Sequence, residues 1–279
     1  MTTQYPIVEN YEIIGLHQTG AMTEVYRARD RRTNETVALK MLKVDNLCSG
    51  VEAPEKAELR FLREFRIFSE LSHPNIVRAL DFGFIEGYYY IAMEFVGGGD
   101  LCDLLEAKRR LPEEQAWRVL EDIGAALQCA ESYDLLHRDI KPGNILVTDT
   151  GVHKLTDFGL AVLRRDRGLL TESDLVLGTL EYASPEQLRG GDIDIRTDIY
   201  SLGLTLYELL SLKMPFVGKN PTDTMQKVCL GRKLPLRILA PDVSNKLSSV
   251  IHKMTEADPD KRYASPAFLL DDVRQLRNS

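Results

Sequence analysis

The sequence predicts an α+β fold in two parts: a small antiparallel sheet with one helix, followed by a mainly helical region. The chain has 279 residues, of which 44% are hydrophobic and 28% charged, as in globular proteins with a sizeable core. Its first part contains short apolar segments with the alternation of half-buried strands. Its second part repeats apolar residues at the three- and four-residue spacing of helices.

The composition excludes several classes of protein. Lys and Arg number 35 against 42 Asp and Glu, a formal charge of −7, whereas a nucleic-acid-coating protein has a large basic excess. The four cysteines have neither disulfide-framework nor zinc-ligand spacing. No secretory signal and no uninterrupted apolar run of about 18 residues occurs. We therefore expect a cytoplasmic protein with no nucleic-acid partner and no membrane segment in this chain.

The first part reads as strands interrupted by one helix. Gly and Thr residues between the first two apolar segments predict a turn, Glu86-Gly87 predicts a hairpin, and Pro74 lies just beyond the helix. The predicted strands include Tyr11 and Ile13, Val25 and Tyr26, 37–42, 76–84 and 88–95, and the helix covers 57–71.

Three consecutive glycines, Gly97 to Gly99, predict a hinge, because residues without a Cβ bend easily. Pro112 then occupies the favoured position at the start of a helix. Residues 202–212 are apolar on nearly all sides, which predicts a buried core helix. Further helices are predicted near 222–230, 244–255 and 265–276.

A chain of motifs points to chemistry. His137-Arg-Asp-Ile-Lys-Pro-Gly-Asn144 is followed by Asp157-Phe-Gly. Other motifs accompany them in order: Val37-Ala-Leu-Lys, Phe61-Leu-Arg-Glu, Gly178-Thr, Ser184-Pro-Glu, Asp198-Ile-Tyr-Ser-Leu-Gly, and Arg262 after Asp258-Pro-Asp-Lys. Together they resemble the protein kinase family over about residues 11 to 276. Lys141 and Thr179 resemble the serine/threonine type, and the overall pattern is most similar to bacterial receptor-type (eukaryotic-like) kinases.

The resemblance implies a bilobal protein-kinase fold, with residues 1–10 as an extension and 11–276 as the kinase domain. The N-lobe would cover 11–93, the hinge 94–99 and the C-lobe 100–276. ATP would lie in the cleft, with Ala38 in its roof, Met93 behind the adenine and the backbone of 94–96 reading the adenine edge. The implied ATP-binding residues are Gly20, Val25, Ala38, Lys40, Met93, Glu94 and Val96.

Phosphoryl transfer needs charge neutralisation around the phosphates and an aligned hydroxyl nucleophile. The resemblance implies that Lys40, paired with Glu64, contacts the α and β phosphates. Asp139 would orient the substrate hydroxyl, and Lys141 would neutralise the transferring phosphate. Asn144 and Asp157 supply the oxygen ligands that suit Mg²⁺, or Mn²⁺ in its place. Considered singly, these would be ordinary strand or turn residues; their joint occurrence favours catalysis.

Other matched residues have structural or regulatory roles by resemblance. His137 would pack on Phe158, Glu186 and Arg262 would form a buried ion pair, and Asp198 would brace the catalytic loop. Arg138 implies an activation-segment phosphate that neutralises it, with Thr171 and Ser173 as the candidate sites and the chain itself as a substrate. The later Thr179 belongs to the peptide platform.

The phosphate-covering loop departs from the family pattern. Gln18, Gly20 and Thr23 occupy the three positions where kinases usually carry glycine. Residues forced into glycine conformations are strained, so we expect weaker ATP binding, by about tenfold. This leaves three hypotheses open: a kinase acting on Ser and Thr of proteins, a pseudokinase that senses nucleotide or acts as a scaffold, and a kinase-like small-molecule phosphotransferase.

Overall fold

A computed structural model describes residues 6–19, 23–43, 69–158 and 180–278. The chain divides into two compact units, the first comprising Met1–Ser72 and Val77–Val96, the second His73–Ile76 and Gly97–Ser279. The antiparallel sheet and the helical part predicted from the sequence are thus both present. The lobe boundaries proposed above stay a prediction. Among the described helices, none is long and apolar enough to cross a membrane.

The first unit contains a five-stranded antiparallel sheet in the order β1-β2-β3-β5-β4. One face carries a core that includes Tyr26, Leu39, Met41 and Ala92. This alternation of buried and exposed positions is what a sheet covered on one side requires. The strands are β1 (Tyr11–Thr19), β2 (Thr23–Asp30), β3 (Thr36–Lys43), β4 (Ala79–Ile85) and β5 (Tyr88–Glu94).

Two expectations for this unit need correction. Strand β4 begins at Ala79 instead of Ile76, because Ile76 belongs to the second unit, where it is buried and bridges to Leu155. Gln18 and Thr23 pair as strand residues and neither has a positive φ, so they do not carry the backbone strain expected of residues in glycine conformations. Residues 69–70 are helical; the rest of the predicted 57–71 helix lies outside the described residues, apart from Leu71.

The second unit is mainly helical. The helix predicted after Pro112 runs from Glu113 to Glu131, and its apolar stripe, which includes Ala116, Leu120 and Leu127, is buried. The core helix begins at Ile195, earlier than predicted, because the Asp194 side chain caps it by accepting from Arg196 N–H. Its helices are α1 (Cys102–Glu106), α2 (Glu113–Glu131), α3 (Pro185–Arg189), α4 (Ile195–Ser211), α5 (Pro221–Leu230), α6 (Leu236–Leu239), α7 (Asn245–Met254) and α8 (Pro266–Asn278).

Short elements connect these helices. Strands β6 (Ile145–Val147) and β7 (His153–Leu155) form an antiparallel pair. Short 3-10 turns cover Pro142–Asn144, Leu180–Tyr182 and Pro259–Lys261.

The end of the glycine run packs tightly against β6. A Cβ on Gly98 would lie 2.3 Å from the carbonyl oxygen of Val147. Gly99 has a φ of +79° and its carbonyl accepts a hydrogen bond from Val147 N–H at 2.9 Å. These glycines are therefore required for close approach to β6 and for a left-handed backbone.

Candidate active site

Within the first unit, the residues assigned to ATP binding share one face of the sheet. Val25 pairs with Lys40 across β2 and β3, and Ala38 pairs with Met93 across β3 and β5. Residues two apart on a strand face the same side, and so do directly paired residues. This face is opposite to the one that carries Leu39, and Lys40 and Met93 are both buried.

The end of β5 is fixed to the chain that precedes β4. The Glu94 Oε1 accepts a hydrogen bond from Arg78 N–H at 2.9 Å, and the Glu94 N–H donates to the Arg78 carbonyl at 3.0 Å. Val96 follows as the last residue of the first unit.

In the second unit, the loop before β6 brings three predicted side chains together. The Asp139 Oδ2 lies 2.9 Å from Lys141 Nζ and 3.1 Å from Asn144 Nδ2. Asn144 Nδ2 also donates to the Asp139 carbonyl at 2.7 Å. Because this nitrogen is engaged by Asp139, the amide oxygen is the atom of Asn144 that can bind a metal ion.

Asp198 holds the backbone that leads into this loop. Its fully buried carboxylate accepts from His137 N–H at 2.8 Å and from Arg138 N–H at 2.7 Å. Burial raises the pKa of Asp198, although the two N–H groups act in the opposite direction. Arg138 itself has a φ of 69°, a left-handed conformation that a non-glycine residue keeps only when its surroundings fix it.

His137 links the loop to the strand that precedes Phe158. Its ring lies edge-on to the Phe158 ring, with centroids 4.7 Å apart, and its Nε2 lies 2.7 Å from the Thr156 carbonyl. Thr156 N–H donates to the Asn144 carbonyl at 3.0 Å. Asp157, with a φ of 67°, therefore lies between two residues that both contact the catalytic loop.

Glu186 and Arg262 form a buried two-fold ion pair, with Nη1 to Oε1 at 2.7 Å and Nη2 to Oε2 at 2.9 Å. The Thr197 hydroxyl donates to the same carboxylate at 2.8 Å. Burial alone would raise the pKa of Glu186, but the hydrogen bonds and charge of Arg262 outweigh it and lower the pKa to about 2.

Sequence reasoning missed several polar contacts made by α4 and α3. Ser201 on α4 donates to the Tyr182 carbonyl at 2.9 Å, and Thr205 Oγ1 lies 3.4 Å from the Ile140 carbonyl. With Asp198 they form a buried polar stripe at helical spacing, a pattern that the sequence of this helix does show. Gln187 on α3 donates to the Arg138 carbonyl, a contact that the sequence does not indicate.

Comparison with known proteins decides the family. Residues 9–273 match the family description "Protein kinase domain". The chain belongs to the protein kinase family. It is 37% identical over 267 residues to a probable serine/threonine-protein kinase of Clostridium perfringens, covering 96% of this chain and 38% of that protein. It is 34% identical over 282 residues to the serine/threonine-protein kinase PknB of Mycobacterium leprae, covering 100% of this chain and 44% of PknB.

A third relative is a probable serine/threonine-protein kinase of Streptomyces coelicolor, 35% identical over 270 residues, which cover 94% of this chain and 39% of that protein. The kinase chain thus spans about two fifths of the length of the curated relatives it matches. The resemblance to bacterial serine/threonine kinases is confirmed. Family membership implies use of ATP and a divalent metal, and protein substrates.

Some predicted site residues of the kinase lie outside the described residues. They are Gly20 in the phosphate-covering loop, Glu64 as the partner of Lys40, the candidate phosphosites Thr171 and Ser173, and Thr179. Their roles stay predictions.

Proposed function

We propose that this chain transfers the γ-phosphoryl group of ATP to Ser and Thr hydroxyls of proteins, with Mg²⁺ as the metal. The observation that carries the proposal is the Asp139 carboxylate, held between Lys141 Nζ and the Asn144 amide within one short loop. Phosphoryl transfer depends on such positioning and on electrostatic stabilisation, with little covalent work for the protein.

Each side chain has a defined task in this proposal. Asp139 accepts a hydrogen bond from the substrate hydroxyl and orients its oxygen towards the γ-phosphorus. Lys141 supplies positive charge beside the transferring group, and Lys40 binds the α and β phosphates, paired with Glu64. Val25, Ala38 and Met93 line the adenine site, with Glu94 and Val96 offering backbone groups to the base.

The donor set fits a hard cation. Asn144 offers an amide oxygen and Asp157 a carboxylate, and Mg²⁺ prefers oxygen ligands from the protein, the phosphates and water. When bound, the ion neutralises charge on the phosphates; Mn²⁺ has similar ligand preferences. Asp198 holds the loop that carries Asn144, and His137 joins that loop to Thr156, the residue before Asp157.

A phosphotransfer assay tests the proposal. The purified chain is incubated with labelled ATP, Mg²⁺ and a generic basic protein, beside Asp157→Asn, Asp139→Asn and Asp149→Asn. Asp149 is an exposed carboxylate of the same unit, so its variant is the matched control. We expect the wild type and Asp149→Asn to label Ser and Thr of the basic protein, and the other two variants to transfer no label. ATP binding without transfer would favour the pseudokinase, and transfer to small molecules alone the third hypothesis.

Regulation by autophosphorylation is part of the same proposal. Arg138 Nε is buried and has no hydrogen-bond partner among the described residues, which favours a phosphate as its partner. Thr171 and Ser173 are the proposed acceptors. Phosphosite mapping and the double variant Thr171→Ala/Ser173→Ala test this; an unchanged rate would contradict it. A cytoplasmic location, where ATP and Mg²⁺ are available, stays a proposal as well.

A further inference from the structure

One side chain joins α3 to the catalytic loop. The Gln187 Oε1 accepts from Ser184 N–H at 2.8 Å, while its Nε2 donates to the Arg138 carbonyl at 3.1 Å. Ser184 Oγ in turn accepts from Gln187 N–H at 3.3 Å, so the two residues form a reciprocal capping box at the start of α3. Because Ser184 N–H binds the amide oxygen of Gln187, the amide nitrogen of Gln187 points towards the Arg138 carbonyl.

The accepting carbonyl belongs to the peptide that connects Arg138 to Asp139. Arg138 has a φ of 69°, and its N–H is held at 2.7 Å by the Asp198 carboxylate. Asp198 thus fixes the entry to this peptide from α4, and Gln187 fixes its carbonyl from α3. A left-handed non-glycine residue keeps its conformation only where the surroundings determine it on both sides.

We propose that Gln187 is a positioning residue: its amide nitrogen fixes the Arg138 carbonyl and thereby orients the carboxylate of Asp139 for phosphoryl transfer. This inference rests on the proposed function. A hydrogen bond to the preceding carbonyl sets the rotation of the peptide plane, and small misplacements of a catalytic group lower the rate strongly.

Capping and positioning use different atoms of Gln187 and can be separated by substitution. A Glu at this position keeps the acceptor of the capping box, which accepts Glu as well as Gln. It loses the donor and places an oxygen against the Arg138 carbonyl. Gln187→Met is a neutral variant that loses both contacts. Asn220 caps α5, because its side chain accepts a hydrogen bond from Asp223 N–H. Asn220→Ala is therefore the control for the loss of a helix cap elsewhere in the second unit.

The experiment measures kcat, KM for ATP, thermal midpoint and backbone hydrogen exchange of residues 137–140 in these variants and the wild type. For Gln187→Glu and Gln187→Met we expect kcat to fall about 10-fold or more, with KM for ATP within about twofold. Exchange of residues 137–140 rises in both. Gln187→Glu lowers the midpoint by no more than about 2 °C, because the cap is kept while two oxygens are brought together, and Asn220→Ala lowers it by about 2 °C while keeping kcat.

Wild-type kcat and exchange in Gln187→Glu would overturn the proposal. So would a fall in kcat that Asn220→Ala shows equally at a similar midpoint, as this would show an effect of stability alone. If the wild type transfers no phosphate, the proposed function fails and the catalytic part of this inference with it. Unchanged exchange in both Gln187 variants would then overturn the positioning contact as well.

Discussion

Arg262 binds Glu186 through two parallel hydrogen bonds, although the two residues are separated by 76 positions in the sequence. Arg262 also donates to the backbone carbonyls of Glu256 and Arg196, at 2.8 and 3.0 Å. The pair therefore joins α3 to the first turn of α4 and to the segment after α7. Breaking one partner of a buried pair leaves the other charge uncompensated, which is strongly destabilising.

We predict that Glu186→Gln lowers the free energy of unfolding by about 3 kcal/mol at pH 7. The folded-state pKa of Glu186, about 2, lies below its ordinary value of 4.5. A lowered pKa contributes stability that is complete above pH 4.5 and is lost as the pH falls towards 2. The stabilities of the wild type and the variant should therefore converge at about pH 2.

Urea unfolding at several pH values measures this, followed by the fluorescence of Trp117, the single tryptophan, which is buried in the second unit. Glu114→Gln is the control, since Glu114 pairs with Arg277 on the surface, where an ion pair contributes little. A constant difference between wild type and Glu186→Gln from pH 7 to pH 2 would contradict the prediction.

Tyr200 has a completely buried hydroxyl without a hydrogen-bond partner among the described residues. An unpartnered buried hydroxyl costs about 1 to 3 kcal/mol. Tyr200→Phe removes it and keeps the ring, over which the Arg262 guanidinium lies at 4.5 Å. We predict equal or higher stability for this variant, by up to about 2 kcal/mol, in urea unfolding.

Tyr207 on the same helix gives the matched comparison. It is also buried, but its hydroxyl donates to the Leu234 carbonyl at 2.8 Å. Tyr207→Phe leaves that carbonyl without its donor and should lower the free energy of unfolding by about 1 kcal/mol. Equal losses in both variants would show that the Tyr200 hydroxyl has a partner, such as an ordered water.

The catalytic loop was predictable because its functional residues are nearly contiguous. Asp139, Lys141 and Asn144 fall within one eight-residue motif, so a single turn brings them together. The polar stripe of α4 was visible only as interruptions of an apolar helix, since Ser201 and Thr205 bind backbone carbonyls from elsewhere in the fold. No periodicity reveals which carbonyl a hydroxyl will meet.

Short elements escaped prediction for a related reason. Strands β6 and β7 have three residues each, too few for an alternating pattern to be read. The position of Ile76 also depends on tertiary structure: its apolar side chain fits a strand, yet it belongs to the second unit and pairs there with Leu155. The sequence does not reveal the contact of Gln187 with Arg138, because the capping box alone accounts for a Gln at this position.

We predict that Asp198→Asn lowers both stability and activity. Two backbone N–H groups, of His137 and Arg138, donate to the two oxygens of this carboxylate. An amide offers one oxygen only, so its nitrogen would face one of the donors, at a cost of about 3 kcal/mol. The free energy of unfolding measured in urea and kcat should both fall. The fall in kcat should be about 10-fold or more, because Asp139 directly follows the two residues that Asp198 holds.

Asp194→Asn is the matched control on the same helix. Asp194 caps α4 by accepting from Arg196 N–H, and Asn caps a helix as well as Asp does. We expect its stability to change by less than about 1 kcal/mol and its kcat to be unchanged. Similar losses in both variants would mean that Asp198 acts through helix stability alone.

Gly98→Ala should destabilise the second unit by about 2 to 3 kcal/mol, since the added Cβ meets backbone that cannot rotate away. That Cβ would lie 2.3 Å from the Val147 carbonyl oxygen, far inside a normal contact. Gly191→Ala is the control, because its Cβ would meet the Glu186 carbonyl at an ordinary 3.7 Å. Urea unfolding followed by Trp117 fluorescence compares the two. A Gly98→Ala protein as stable as the control would show that the glycine run yields at β6, as a hinge does.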